Sequence, residues 1–171
     1  MYLQETLPAY SVDTTKKADG KLLPTTKVEI LEKHADKLKV KLDGWMQDGV
    51  SSMLYFAKGE RIIMAAFAKK STLDIKVLKT EKDNEGKVDW NHVEMVIFID
   101  DKNLVDSVEP LYVKAKSLLE EQCGLCHTTH PTNEFTANQW PAVIKGMQGR
   151  TALSSEDVLL ITQYAQKHSK K

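Results

Sequence analysis

Cysteine is almost absent: the chain has two in 171 residues, and both sit in the five-residue stretch CGLCH, residues 123 to 127. That scarcity excludes a disulfide framework, which needs paired cysteines spread along the chain. Long apolar runs are missing as well. The longest, Ile62-Ile63-Met64-Ala65-Ala66-Phe67-Ala68, falls far short of the roughly 20 residues that span a bilayer, so no membrane span is expected. Neither sign of charge is in surplus. Lys plus Arg and Asp plus Glu stand at 24 each, and cutting after Leu104 leaves 17 of each sign before and 7 of each after. Without a basic surplus to neutralise phosphates, nucleic acid is not expected as a partner. No internal repeat and no low-complexity tract is found.

What is present is the composition of a globular protein, 42% hydrophobic and 28% charged, enough apolar residues to bury one ordinary core or two small ones. The opening MYLQETLPAY lacks a charged region followed by an apolar one, so if the chain is exported its signal is expected to have been removed.

Residues 1 to 20 mix Pro, Thr, Asp and Gly with little periodicity and read as an irregular lead-in. In DKLKVKLDGW, Leu38, Val40 and Leu42 alternate with Lys37, Lys39 and Lys41, the period of two that marks a half-buried strand. Lys39 reads as a solvated strand-face charge. Further apolar stretches are broken at Lys58-Gly59-Glu60 and at Asp83-Asn84-Glu85-Gly86, residue types that suit hairpin turns. The period changes near Val105. Val108, Leu111, Tyr112, Ala115, Leu118 and Leu119 recur at three and four, which predicts a helix running into the cysteine motif. TANQWPAVIKGM predicts a second helix, with Asn138 as candidate N-cap and Pro141 in the first turn. Ser154 followed by Asp157 resembles a capping box opening a third. The expected fold class is therefore α+β: a small antiparallel β-domain over 1–104, with the irregular lead-in, followed over 105–171 by an all-α domain.

Cys-x-x-Cys-His is the attachment motif for c-type haem. Two thiols at this spacing can form thioethers to the two vinyl groups of one haem, and the adjacent imidazole then reaches the iron. Cys123 and Cys126 are the expected anchors and His127 the expected proximal iron ligand. A zinc site remains an alternative, since Cys123, Cys126, His127 and His130 are four candidate ligands, although structural zinc sites usually separate two ligand pairs by a longer loop. A redox dithiol is the other, although a helix precedes the motif where a strand would be needed.

A haem iron has two axial faces. His130, three residues after His127, is too close to pass around the porphyrin. Met147 ends the second helix about 20 residues beyond the motif and is the expected distal ligand, with His168 and His92 as fallbacks and ordinary core packing as the competing reading. Met/His ligation raises the reduction potential relative to two histidines. Trp140, Phe135 and Tyr164 are aromatics suited either to packing on a haem or to the core. Covalent haem attachment in bacteria is completed outside the cytoplasmic membrane, so a periplasmic location is expected.

The tail CGLCHTTHPTNEFTANQWPAVIKGMQGRTALSSEDVLLITQYAQKH resembles the C-terminal domain of TorC-like pentahaem c-type cytochromes, which serve trimethylamine-N-oxide and related molybdenum reductases. Cys123, Cys126 and His127, then Phe135-Thr136-Ala137-Asn138-Gln139-Trp140, Met147 and Ala152-Leu153-Ser154 carry the resemblance. ETLPAYS, GKLLPTTKVEILEK and KVKLDGW are similar to the segment that precedes the haem domain in those proteins, so the resemblance implies that 1–104 is an SH3-like β-domain and 105–171 a class I-like cytochrome c domain. Longer members of that class begin with a membrane-anchored four-haem domain, for which this sequence shows no further haem motif.

The resemblance implies a periplasmic electron carrier rather than an enzyme, with one covalent haem c. Its expected acceptor is a molybdopterin N-oxide or S-oxide reductase, and its expected donor an upstream quinol-linked cytochrome or dehydrogenase. Two alternatives stay open: a haem-based sensing or partner-binding module with an open axial site, and a zinc-stabilised interaction domain.

Overall fold

The computed structural model describes residues 1–14, 17–34, 36–83, 85–124 and 128–170. Two units divide the chain, Met1–Asp106 and Ser107–Lys171. Among its described residues the first unit has ten strands: β1 (Tyr2–Leu3), β2 (Leu7–Tyr10), β3 (Gly20–Leu22), β4 (Glu29–His34), β5 (Lys37–Gln47), β6 (Met53–Ala57), β7 (Glu60–Phe67), β8 (Asp74–Lys82), β9 (Asp89–Asp100) and β10 (Leu104–Val105). The second has α1 (Glu109–Leu118), a π-helical turn over Leu119–Cys123, α2 (Trp140–Gln148) and α3 (Ser155–Lys167).

The β unit is organised by one long ladder. β5 and β9 pair antiparallel from Lys37↔Asp100 to Gln47↔Trp90. The alternation in β5 buries Leu38, Val40 and Leu42, and their partners across the ladder are the buried Ile99, Ile97 and Met95. Two strands whose apolar residues share a parity thus present one continuous face to the core. Each large aliphatic side chain sealed there contributes roughly 1.5–3 kcal/mol. Eight strands form one sheet in the order β4-β5-β6-β7-β3-β2-β9-β8, and the β5–β9 pairing closes a ring of six, β5-β6-β7-β3-β2-β9. β4 and β8 lie outside the ring on β5 and β9. Each has a register irregularity beside adjacent exposed apolar residues, Ile30 and Leu31 on β4, Val77 and Leu78 on β8. Such irregularities twist an edge away from straight pairing with another strand.

The hairpins at 58–60 and 83–88 form as their turn residues suggest, with Gly59 at φ 77° and Gly86 at φ 70°, a backbone region where glycine carries no Cβ penalty. Asn84 lies outside the described residues. The stretch read as an irregular lead-in supplies β1, β2 and the start of β3. Leu3, Leu7 and Ala9 are fully buried there; the strands are too short for alternation to stand out against Pro8 and the polar residues around them.

The expected architecture needs correction. The chain is not a small SH3-like β-domain followed by an all-α class I-like cytochrome c domain. It is mainly β, with an eight-stranded sheet, and has only three α-helices among its described residues. Local periodicity locates strands one at a time, whereas the ladder that enlarges and closes this sheet joins segments some 40 to 60 residues apart. The second unit also departs from regular helix: α1 widens into the π-helical turn, and Thr136 and Lys170 form a parallel bridge.

Candidate functional site

The helical unit is built on an apolar cluster of Leu119, Trp140, Ile144, Ile161 and Ala165. α3 packs against both α1 and α2. It is capped by Ser154, whose Oγ accepts from the Asp157 backbone N–H at 3.1 Å and donates to the Asp157 carboxylate at 2.6 Å. These bonds, then the Lys114 ammonium, hold the Asp157 carboxyl below its ordinary range. α2 begins at Trp140 with Gln139 as N-cap and Pro141 in the first turn, one residue later than the Asn138 cap read from sequence.

Cys123 ends the π-helical turn that continues α1. The turn is closed by the Gly124 N–H donating to the Glu120 carbonyl at 3.1 Å. A Cβ on Gly124 would stand 2.3 Å from that carbonyl oxygen, so any larger residue must shift the backbone there. π-helical turns rotate the residues that follow relative to the preceding helix, and this one brings Cys123, half-buried, against the Trp140 cluster. Burial pushes the Cys123 thiol above its ordinary pKa. Cys126 and His127 lie outside the described residues.

The segment after the motif is tied to both later helices. The Trp140 indole N–H donates to the Thr132 carbonyl at 2.9 Å. The Thr136 N–H and hydroxyl both donate to the Gln139 side-chain oxygen, at 2.9 and 3.1 Å. Gln166, buried on α3, donates to the Ala137 carbonyl at 2.8 Å, and the Lys170 N–H donates to the Phe135 carbonyl at 3.1 Å. Sequence reasoning missed Gln166, because a glutamine on a helix carries no sign of an inward orientation.

Trp140 is 1% exposed, and Phe135 meets it edge-on at 5.2 Å between ring centroids. His130 approaches Phe135 at 5.2 Å and its ring pairs with the Glu134 carboxylate at 2.9 Å. Met147 is half-buried in the last turn of α2 and is not among the side chains packed against the Trp140 cluster. His168 caps α3, exposed, its ring 2.8 Å from the Tyr164 carbonyl and edge-on to Tyr112. His92 belongs to the β unit, where it stacks on Trp45 at 4.9 Å and hydrogen-bonds Asp43 at 2.9 Å. The structure therefore brings Cys123 and Trp140 to one apolar cluster and leaves His92 engaged on the sheet. Among the described residues, no helix is long and apolar enough to cross a membrane.

A covalent haem requires a thiol at the margin of an apolar surface, and Cys123 beside the Trp140 cluster meets that requirement. That thiol belongs to CGLCH, the attachment motif of c-type cytochromes. The family model described as the TorC third cytochrome c domain matches residues 1–104, more than half of the chain, and the chain belongs to that family. The matched residues contain no cysteine; CGLCH follows them. The chain is 26% identical over 167 residues to the cytochrome c-type protein TorC of Escherichia coli K12, covering 97% of this chain and 43% of that protein. It is also 26% identical over 150 residues to the cytochrome c-type protein TorY of Haemophilus influenzae, covering 88% of this chain and 41% of that one. It thus spans less than half the length of these relatives. No solved structure matches the chain. Membership of a cytochrome c family implies covalently bound haem c.

Proposed function

We propose that the helical unit, Ser107–Lys171, holds one haem c through Cys123 and Cys126, with His127 as proximal and Met147 as distal ligand. The chain then passes single electrons in the periplasm to a molybdopterin N-oxide or S-oxide reductase, drawing them from a quinol-linked cytochrome or dehydrogenase. The observation that carries this reading is CGLCH at the end of α1 in a chain of this cytochrome family. When bound, the haem supplies a one-electron couple.

The remaining work belongs to the side chains. Cys123 offers its thiol at the edge of an apolar cluster that excludes water. Trp140, by fixing the Thr132 carbonyl, holds the segment that follows the motif. Met147, half-buried in the last turn of α2, would offer its thioether. With His127 and Met147 both holding the haem, the unit would bind no substrate, and its encounters with partners would be brief, as redox encounters that bury little surface are.

The test is the optical spectrum of protein exported with haem-maturation machinery, oxidised and reduced, followed by a pyridine haemochrome. The reduced protein is then mixed with the reductase and trimethylamine N-oxide. One covalent haem that reoxidises only when both are present is the expected result. No covalent haem removes the carrier, and a covalent haem that stays reduced removes the acceptor.

A further inference from the structure

We propose that His34 is a pH-governed clasp that pins the Ser11–Thr14 turn to the end of β4 in the β unit. The geometry comes first. The His34 Nδ1 lies 3.1 Å from the Asp13 carboxylate and its Nε2 lies 2.9 Å from the Glu32 carboxylate. Carboxylates only accept, so both ring nitrogens must carry a proton at once, and only the imidazolium has two. A neutral ring has one N–H and can keep only one of these contacts.

Both carboxylates have further neighbours. Glu32 has a second partner, since the Lys39 ammonium on β5 donates to it at 3.4 Å. Lys37, also on β5, donates to the Asp13 backbone carbonyl at 2.9 Å and sits over the Tyr10 ring of β2 at 4.1 Å, leaving the Asp13 carboxylate to His34. From β9, the Phe98 ring meets His34 edge-on at 5.7 Å and brings no charge. Among the described residues, further charges at this end of the unit include Asp36, Asp100 and Lys102, which act on Tyr10, and Lys33 paired with Asp101. A neutral ring keeps the shorter contact, 2.9 Å to Glu32 on its own strand, so deprotonation of His34 releases the Asp13 side chain, while Lys37 still holds its carbonyl. The Asp19 carboxylate, which accepts from the Ser11 N–H at 2.9 Å and hydroxyl at 2.6 Å, is not part of the switch.

The hydrogen bonds to Glu32 and then Asp13 raise the pKa of His34 above the ordinary histidine value, outweighing partial desolvation. A raised folded-state pKa means the clasp is closed below the ordinary value and opens as pH rises through the raised one.

Nuclear magnetic resonance titration of the full chain tests this, following the His34 ring and the amides of Ser11 to Thr14. The expected result is a His34 midpoint above about 6.5, with those amides shifting at the same midpoint and exchanging faster with solvent above it. Asp13→Asn should lower the midpoint, and His34→Gln should abolish the transition in the turn. A His34 midpoint at or below 6.5, or turn amides that ignore it, overturns the clasp. The test is independent of haem, because no residue of the motif takes part.

Discussion

Gly44 on β5 lies so close to Tyr55 on β6 that a Cβ on the glycine would stand 2.7 Å from the tyrosine carbonyl oxygen. The contact sits beside Trp45↔Tyr55, the pair that joins β5 to β6 in the six-strand ring. A backbone oxygen cannot turn aside as a side chain can, so the strands must separate to admit a methyl group. Gly44→Ala is expected to destabilise the β unit by about 1–3 kcal/mol, the usual cost of overpacking. Urea unfolding followed by tryptophan fluorescence measures it. An unchanged midpoint would show that β6 moves freely.

Trp140→Phe keeps most of the apolar volume at the base of α2 and removes the N–H that satisfies Thr132. Leaving a partly buried carbonyl without its donor costs about 1–3 kcal/mol. Faster amide exchange in α2 and α3, with the β unit unaffected, is the expected reading. Equal protection in both proteins would mean that solvent replaces the indole.

Met147→Ala separates packing from ligation. Because Met147 is half-buried and lies off the Trp140 cluster, the haem-free protein is expected to lose less than the 2–5 kcal/mol typical of a core methionine. The haem-loaded variant is expected to lose the sulfur-to-iron charge-transfer band. Retention of that band would remove Met147 from the ligand set.

Burial pushes the ammonium of Lys167, in the last turn of α3, down to about 7, well below the ordinary lysine value of about 10.4. Between those values the unfolded chain holds a proton that the folded chain has released, so the stability of the helical unit is expected to rise with pH across that window. Lys167→Met should raise its unfolding temperature at pH 7 and flatten the rise. A profile of the same slope in both proteins would assign the pH dependence elsewhere.

The parts of the fold legible in the sequence are those whose cause is local. Leu38, Val40 and Leu42 announce β5 because adjacent residues on a strand face opposite ways, and Ser154 with Asp157 announces the start of α3 because a cap acts within three residues. The β5–β9 ladder has no comparable mark: nothing in Lys37 points to Asp100. The short N-terminal strands were obscured by Pro8 and by the turn residues after Tyr10. At the candidate site, CGLCH suggested the attachment chemistry proposed above, but the π-helical turn and the Trp140–Thr132 bond were out of reach, since both depend on how the backbone turns after α1. Membership in a TorC cytochrome family agrees with the resemblance read in the tail, while the sheet overturned the architecture inferred from it.

The ring of strands also imposes an order on folding. β2, near the start of this unit, finds one of its neighbours only when Phe98 and Ile99 have been made, and β1 finds its partner only at Leu104 and Val105. No leading half of this unit can bury its own core, so nearly all of its first hundred residues must be available before closure. Contacts of such long separation form slowly, and a chain held open that long exposes β-forming segments to other unfolded chains. The irregular edges of β4 and β8 guard the finished sheet; during the wait, the unfinished one has no such protection.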